Sequence, residues 1–222
     1  MTRRFNLTLL FVLAGIASIF GSTPQEAVNK FISGSGVKAA TMAVKITDLS
    51  NGETIGSHNT ETPLVPASIM KSVTTAALLD KGGADFRYHT RVFIDGPLDM
   101  GILRGNLIVV GSGDPSLHSS AEPYGTDIIN EIGETLSDMG IIQVEGNVII
   151  DQSEFAGPSR PASWMPADFS TTYGTGFHAL NFRNNISGNR AVENPASIFT
   201  SQLKSGLKNA GITVIGKNVG IG

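Results

Sequence analysis

The 222-residue chain contains no cysteine. That excludes disulfides, thiolate metal sites and a lipid-modified N-terminal cysteine, so the folded protein is held together by its core alone. It has little charge imbalance, with 16 Lys and Arg against 19 Asp and Glu and a formal net charge of −3. No basic run stands out, which argues against a nucleic-acid partner. The histidines His58, His89, His118 and His178 are scattered without metal-ligand spacing, so no metal and no cofactor is expected. "GSGDPS", starting at Gly111, lacks the lysine and spacing of a phosphate loop and reads as tight turns. Low-complexity linkers and internal repeats are not evident. The longest apolar run, Leu7–Phe20, is too short to cross a bilayer comfortably.

What is present begins with that run. Arg3 and Arg4 precede it, and Gly21 and Ser22 follow it. A basic start, a short apolar stretch and small residues are the pattern of a secretory signal peptide, here 1–22. The expected location is outside the cytoplasm, in the periplasm or cell envelope, with membrane contact only through that segment.

Further along, "MAVKITDL", Asn51-Gly52 and "ETIGSH" read as a hairpin. A loop with two prolines, "TETPLVPAS", leads into helix formers from Ser68 to Leu79, stopped by Gly82-Gly83. "YHTRVFIDG" is another strand. From about residue 100, "GNLIVVGSG", "GTDIINEIGETLSDMG" and "IIQVEGNVIID" form a strand, a helix and a strand. The helix carries Ile128, Ile129, Ile132, Leu136 and Met139 on one face, and the unit reads as a parallel crossover. Residues 151–190 are loop-rich. "NPASIFTSQLKSGLKNAG" is a second amphipathic helix and "ITVIGKNVGIG" a final strand.

The chemistry rests on Ser68 and Lys71. In S-x-x-K the two residues sit about one helical turn apart on one face. A serine hydroxyl needs a base to become a nucleophile, and a desolvated lysine can serve. A helix N-terminus also favours developing negative charge. By itself the four-residue pattern reads more readily as an N-cap serine and a solvated first-turn lysine.

Its surroundings add more. "DLSNGETI" followed by "PLVPASIMKSVTTAALL" resembles the first motif of the penicillin-binding proteins and serine β-lactamases. "LRGNLIVVGSGDPSL", "VEGNVIIDQSEF", "SWMPADFSTTYGTGFHALNFRNN" and "FTSQLKSGLKNAGITVIGK" resemble successive blocks of the class C low-molecular-mass penicillin-binding proteins. These are D-alanyl-D-alanine carboxypeptidases and endopeptidases, and the resemblance runs from about residue 25 to the end.

The resemblance implies an α/β protein. Residues 23–95 would form the N-terminal part of a β-lactamase/transpeptidase-like domain, and 96–222 an inserted α/β region. It implies Ser68 as the acylated nucleophile, Lys71 as its base, and Asp151 and Phe155 as contacts for the free end of a substrate side chain. Implied partners are peptidoglycan stem peptides, with β-lactams as covalent inhibitors. Family catalysis also needs an S-x-N and a K-[ST]-G. Ser187-Gly188-Asn189 and Lys204-Ser205-Gly206 match those patterns but read as coincidences, the second inside a helical pattern. The expectation is therefore a chain that carries the first motif and the insertion, is truncated before the other two motifs, and is weak in activity. Its hairpin and Ser68 helix should then leave apolar faces uncovered.

Overall fold

The computed structural model describes residues 21–36, 42–120 and 125–221. The expected signal segment lies, up to residue 20, outside the described residues. The chain divides into two units, one up to Ala84 and one from Asp85, each taken by itself.

In the first unit, Thr23 opens helix α1 (Pro24–Gly34) with a reciprocal cap. The Thr23 hydroxyl accepts the Glu26 N–H at 3.2 Å, and the Glu26 carboxylate accepts the Thr23 N–H at 2.8 Å. Pro24 occupies the first helical position, where its missing N–H costs nothing. The helix rests on an antiparallel hairpin, β1 (Val44–Thr47) and β2 (Thr54–His58). Contact is close because Gly56 lacks a side chain: a Cβ there would stand 3.1 Å from the Pro24 carbonyl oxygen. Gln25 bonds both backbone groups of Ser57, accepting its N–H at 2.9 Å and donating to its carbonyl at 3.1 Å. The expected Asn51-Gly52 turn is present, with Gly52 at φ +78°.

Beyond the hairpin, a 3₁₀ turn (Ala67–Ile69) leads into helix α2 (Met70–Gly82), which ends at Gly83 with φ +78°. No residue of α2 is buried. Ile69, Met70, Val73, Leu78 and Leu79 are all exposed, as are Leu49 and Ile55 of the hairpin region. The uncovered apolar faces expected from the sequence are there.

Among its described residues, the second unit contains two four-stranded sheets, a small two-stranded one and two α-helices. One sheet runs β12 (Asn218–Ile221), β8 (Val148–Asp151), β6 (Asn106–Val110), β3 (Arg91–Asp95). The other runs β11 (Thr213–Val214), β7 (Gln143–Val144), β5 (Ile102–Leu103), β4 (Leu98–Asp99). β6, β8 and β12 are parallel, as are β5, β7 and β11; β3 and β4 are antiparallel to their neighbours. The parallel crossover expected between β6 and β8 is observed. β3 pairs along its whole length with β6, within the unit that begins at Asp85.

The two segments read as single strands are each broken in two. "IIQVEGNVIID" passes from β7 to β8 through Gly146, and "ITVIGKNVGIG" passes from β11 to β12 through Gly216. β5 passes to β6 through Gly105 in the same way. This is a local repeat that the sequence reading did not detect. The glycines stack: a Cβ on Gly105 would strike the Asp95 carbonyl, one on Gly146 the Gly105 carbonyl, and one on Gly216 the Gly146 carbonyl. Backbone atoms cannot rotate aside, so only glycine fits the column. The residue after each glycine ties the crossing together. Asn106 donates to Asp95 Oδ2 (3.3 Å) and accepts the Asn147 N–H (2.8 Å), and Asn147 accepts the Lys217 N–H (2.9 Å).

Helices α3 (Ile128–Asp138) and α4 (Pro195–Asn209) connect the repeats and cover the sheets. Leu107, Val109, Val148 and Ile150 from the strands meet Ile132, Leu136, Phe199, Leu203 and Leu207 from the helices. Phe199, Leu203 and Leu207 have no exposed surface, and each such burial contributes about 1.5–3 kcal/mol. Met139 departs from its expected place on the α3 core face. It caps the helix C-terminus and is 45% exposed.

Candidate active site

Ser68 lies in the 3₁₀ turn and Lys71 is the second residue of α2. The regular helix thus begins two residues later than the propensities suggest. Ala67, just ahead of Ser68, is left-handed at φ +43°. For a residue with a Cβ that conformation costs about 1–2 kcal/mol. Strain held directly beside a candidate nucleophile is a feature of functional turns.

The Ser68 and Lys71 side chains stand on the same turn, and both residues are exposed. Neither makes a hydrogen bond or ion pair with any described residue, so no Ser68–Lys71 hydrogen bond is present.

The second expected pair belongs to the other unit. Asp151 ends β8, and its carboxylate accepts the Ser153 N–H at 2.9 Å. The Ser153 hydroxyl and amide hold the Asp151 carboxyl below the usual carboxylate range; burial opposes this, and Arg91 adds to it. Phe155 is 41% exposed, its ring edge-to-face with Phe177 at 6.3 Å between centroids. It also lies against Gly113, where a Cβ would come within 2.6 Å of the ring. Asp151 closes parallel strand β8 and Phe155 lies in the loop that follows it, at the C-terminal end where α/β sheets commonly bind ligands.

The same edge carries polar groups that the sequence reading passed over. Ser112 Oγ and Arg160 Nε are buried and have no hydrogen-bond partner among the described residues. The Arg160 guanidinium donates to the Phe169 carbonyl at 3.0 Å and stacks over the Phe169 ring at 5.0 Å. Burial, helped by Arg160, lowers the pKa of His178. Asn181 donates to the Gly113 carbonyl at 3.0 Å, and Asn185 donates to Asn181 Oδ1 at 2.7 Å. These asparagines bind the loop after β6 to the segment before β9 (Ile186–Ser187). Nothing in their spacing announces that role.

The two look-alike motifs fall in unsuitable places. Ser187-Gly188-Asn189 forms the end and turn of a small hairpin, β9 with β10 (Arg190–Ala191). Lys204-Ser205-Gly206 is inside α4, with Lys204 Nζ donating to the Gly216 carbonyl at 2.6 Å. Neither lies on the edge strand that a K-[ST]-G requires.

Comparison with known proteins bears on the whole arrangement. A carboxypeptidase of Mycobacterium tuberculosis is 34% identical over 134 residues, covering 57% of this chain and 27% of that protein. A D-alanyl-D-alanine carboxypeptidase of Actinomadura is 28% identical over 178 residues, covering 78% of this chain and 32% of that protein. The chain thus spans about a third or less of these relatives. The crystal structure of penicillin binding protein 4 (dacB) from Haemophilus influenzae matches with a TM-score of 0.70 at 19% identity, over 80% of this chain and 52% of that one. That likeness confirms the α/β fold expected from the sequence. The family model for D-Ala-D-Ala carboxypeptidase 3 (S13) matches residues 25–190, three quarters of the chain, and the chain belongs to that family.

Proposed function

We propose that the chain supplies the nucleophile-bearing part of a serine-type D-alanyl-D-alanine carboxypeptidase or endopeptidase, exported to act on peptidoglycan stem peptides. Ser68 attacks the carbonyl between the two D-alanines, and Lys71 takes its proton. D-Ala, or the crosslinked peptide, departs, and water then cleaves the acyl-enzyme. Backbone N–H groups near the nucleophile stabilise the oxyanion. Asp151 pairs with a cationic substrate end while Phe155 packs against its alkyl stem. The relative from Haemophilus influenzae has also been crystallised in complex with a β-lactam, which supports β-lactams as covalent inhibitors here.

The observation that carries this reading is the S-x-x-K at the mouth of a helix within the family match. The exposure of Ser68 and Lys71, together with the helical placement of Lys204-Ser205-Gly206, favours low activity in this chain by itself. Incubation with a fluorescent penicillin should give slow, sub-stoichiometric labelling that disappears in Ser68→Ala. Labelling that persists in Ser68→Ala removes Ser68 as nucleophile. Rapid stoichiometric labelling overturns the expectation of weakness. No Ser68 adduct by mass spectrometry after exhaustive incubation removes the catalytic role of this chain.

A further inference from the structure

Strand β3 (Arg91–Asp95) is the last of the order β12–β8–β6–β3, so no described strand pairs with its outer edge. Which backbone groups point there follows from β6. The Leu107 and Gly111 N–H groups donate to the Asn147 and Asp151 carbonyls on the β8 side, at 2.9 and 3.0 Å. Alternation then turns the backbone of Asn106, Ile108 and Val110 toward β3, where they pair with Asp95, Phe93 and Arg91. The backbone groups of Val92 and Ile94 are therefore the ones aimed at the outer edge.

The side chains divide in the same alternating way. Ile94 packs against the core, and Val92 lines an apolar groove of about 150 Å³ with Ile128, Ile132 and Leu136 of α3. Arg91, Phe93 and Asp95 share the opposite face. Arg91 and Asp95 are exposed, and Phe93 is 49% exposed. Edge strands are commonly blunted by proline. Here proline enters only at Pro97, past the turn at Gly96, so every residue of β3 keeps its N–H.

The run Arg-Val-Phe-Ile-Asp complements itself when reversed. Set antiparallel to a copy about Phe93, Arg91 meets Asp95 of the copy, Val92 meets Ile94, and Phe93 meets Phe93. Val92 and Ile94 then form the hydrogen-bonded pairs, each exchanging both N–H···O=C bonds. Ile94 of the copy comes beside Val92 at the apolar groove. Phe93 with Phe93, and Arg91 with Asp95, are the non-hydrogen-bonded pairs, where side chains approach most closely. Aromatic pairs and opposite charges are the favourable cross-strand combinations. A slip of one residue breaks the hydrogen-bond phase, and a slip of two parts the charges. Backbone and side chains thus select the same alignment. Within one chain Arg91 acts on Asp151, two strand positions away in the same row. Asp95 of the copy comes directly opposite it. The strand at the other end of the sheet, β12, lacks this symmetry: reversed, Asn218 meets Ile221 and Val219 meets Gly220.

We propose that β3 is a self-association edge: it pairs antiparallel with β3 of a second copy of this chain, centred on Phe93, and joins two four-stranded sheets into one. The interface is independent of Ser68 and of the proposed peptidase reaction.

The chain has no cysteine, so introduced thiols read the register without interference. Phe93→Cys should form a disulfide-linked dimer under mild oxidation, because Cα atoms in a non-hydrogen-bonded pair stand about 4.5 Å apart, within disulfide reach. Val219→Cys, at an exposed position on β12, should cross-link at least about tenfold more slowly at the same concentration. Sedimentation equilibrium of the full chain should show a reversible dimer, half-formed below about 100 µM. Arg91→Asp alone, or Asp95→Arg alone, sets like charges opposite each other at both ends and should weaken the dimer about tenfold or more. The double variant Arg91→Asp with Asp95→Arg restores opposite charges and should recover most of that affinity. A chain that stays monomeric to about 1 mM overturns the proposal. So does equal cross-linking of Phe93→Cys and Val219→Cys, or a double variant no tighter than either single one.

Discussion

Arg183, Asn184 and Asn185 follow one another at φ +52°, +57° and +54°, and replacing Asn185 with alanine tests this left-handed turn directly. The substitution deprives the buried Phe182 N–H of its acceptor and takes donors from the Gly176 carbonyl and from Asn181. Asn185 is 4% exposed, so water does not readily take its place. An unpaired buried amide costs about 1–3 kcal/mol. Alanine at φ +54° adds about 1–2 kcal/mol, which asparagine partly avoids by hydrogen-bonding locally. The expected loss is about 2–5 kcal/mol, against a total near 5–15 kcal/mol for a typical domain. Asn185→Gly loses the same bonds but has no Cβ, and should be about 1 kcal/mol milder than Asn185→Ala. Trp164, the sole tryptophan, lies in the second unit and reports its unfolding in urea. An Asn185→Ala variant within about 0.5 kcal/mol of the parent refutes the reasoning. A glycine variant no better than the alanine one refutes the backbone part.

Three further outcomes are expected. Gly206→Ala in α4 drives a Cβ into Ile129, so it should destabilise by about 1–3 kcal/mol despite alanine's better helix propensity; adding Ile129→Ala should recover part of the loss, and an additive pair of losses would be contrary. Gly146→Ala aims a Cβ at the Gly105 carbonyl, which cannot move aside, and should cost more than Gly206→Ala in the same urea assay. Burial lowers the His178 pKa from its ordinary value of 6.5, so its contribution to stability is complete above 6.5 and is lost as pH falls through the lowered value. His178→Gln should flatten that acid-side decline, measured by thermal midpoints across the range, and an unchanged slope would assign the decline to other groups.

Much of this molecule follows from local pattern. The Asn51-Gly52 hairpin, the α3 and α4 amphipathic faces and the β6–β8 crossover all come from periodicity and turn chemistry, and all are in the structure. Helix α1 is equally legible, since Thr23, Pro24 and Glu26 spell a capping box. The breaks at Gly146 and Gly216 were hidden because apolar residues continue on both sides. Only a neighbouring backbone in contact makes the glycine necessary, and that contact is non-local. The candidate site divides similarly. S-x-x-K shows Ser68 and Lys71 on one turn, whereas the burial state of Lys71 depends on what packs over α2. The Asn181–Asn185 latch joins loops distant in sequence and has no periodic signature.

The glycine column has one more consequence, for assembly. Both sheets finish on the same side, in β11 and β12, and Ile215, Val219 and Ile221 there are exposed. An unpaired edge accepts any extended peptide, which is an aggregation hazard. Here, though, two edges stand side by side with a crease between them. A straight foreign strand can zip onto one edge only, and it meets the fold line where its next residues must turn. A segment shaped strand–glycine–strand matches both edges at once, in the same register as the three before it.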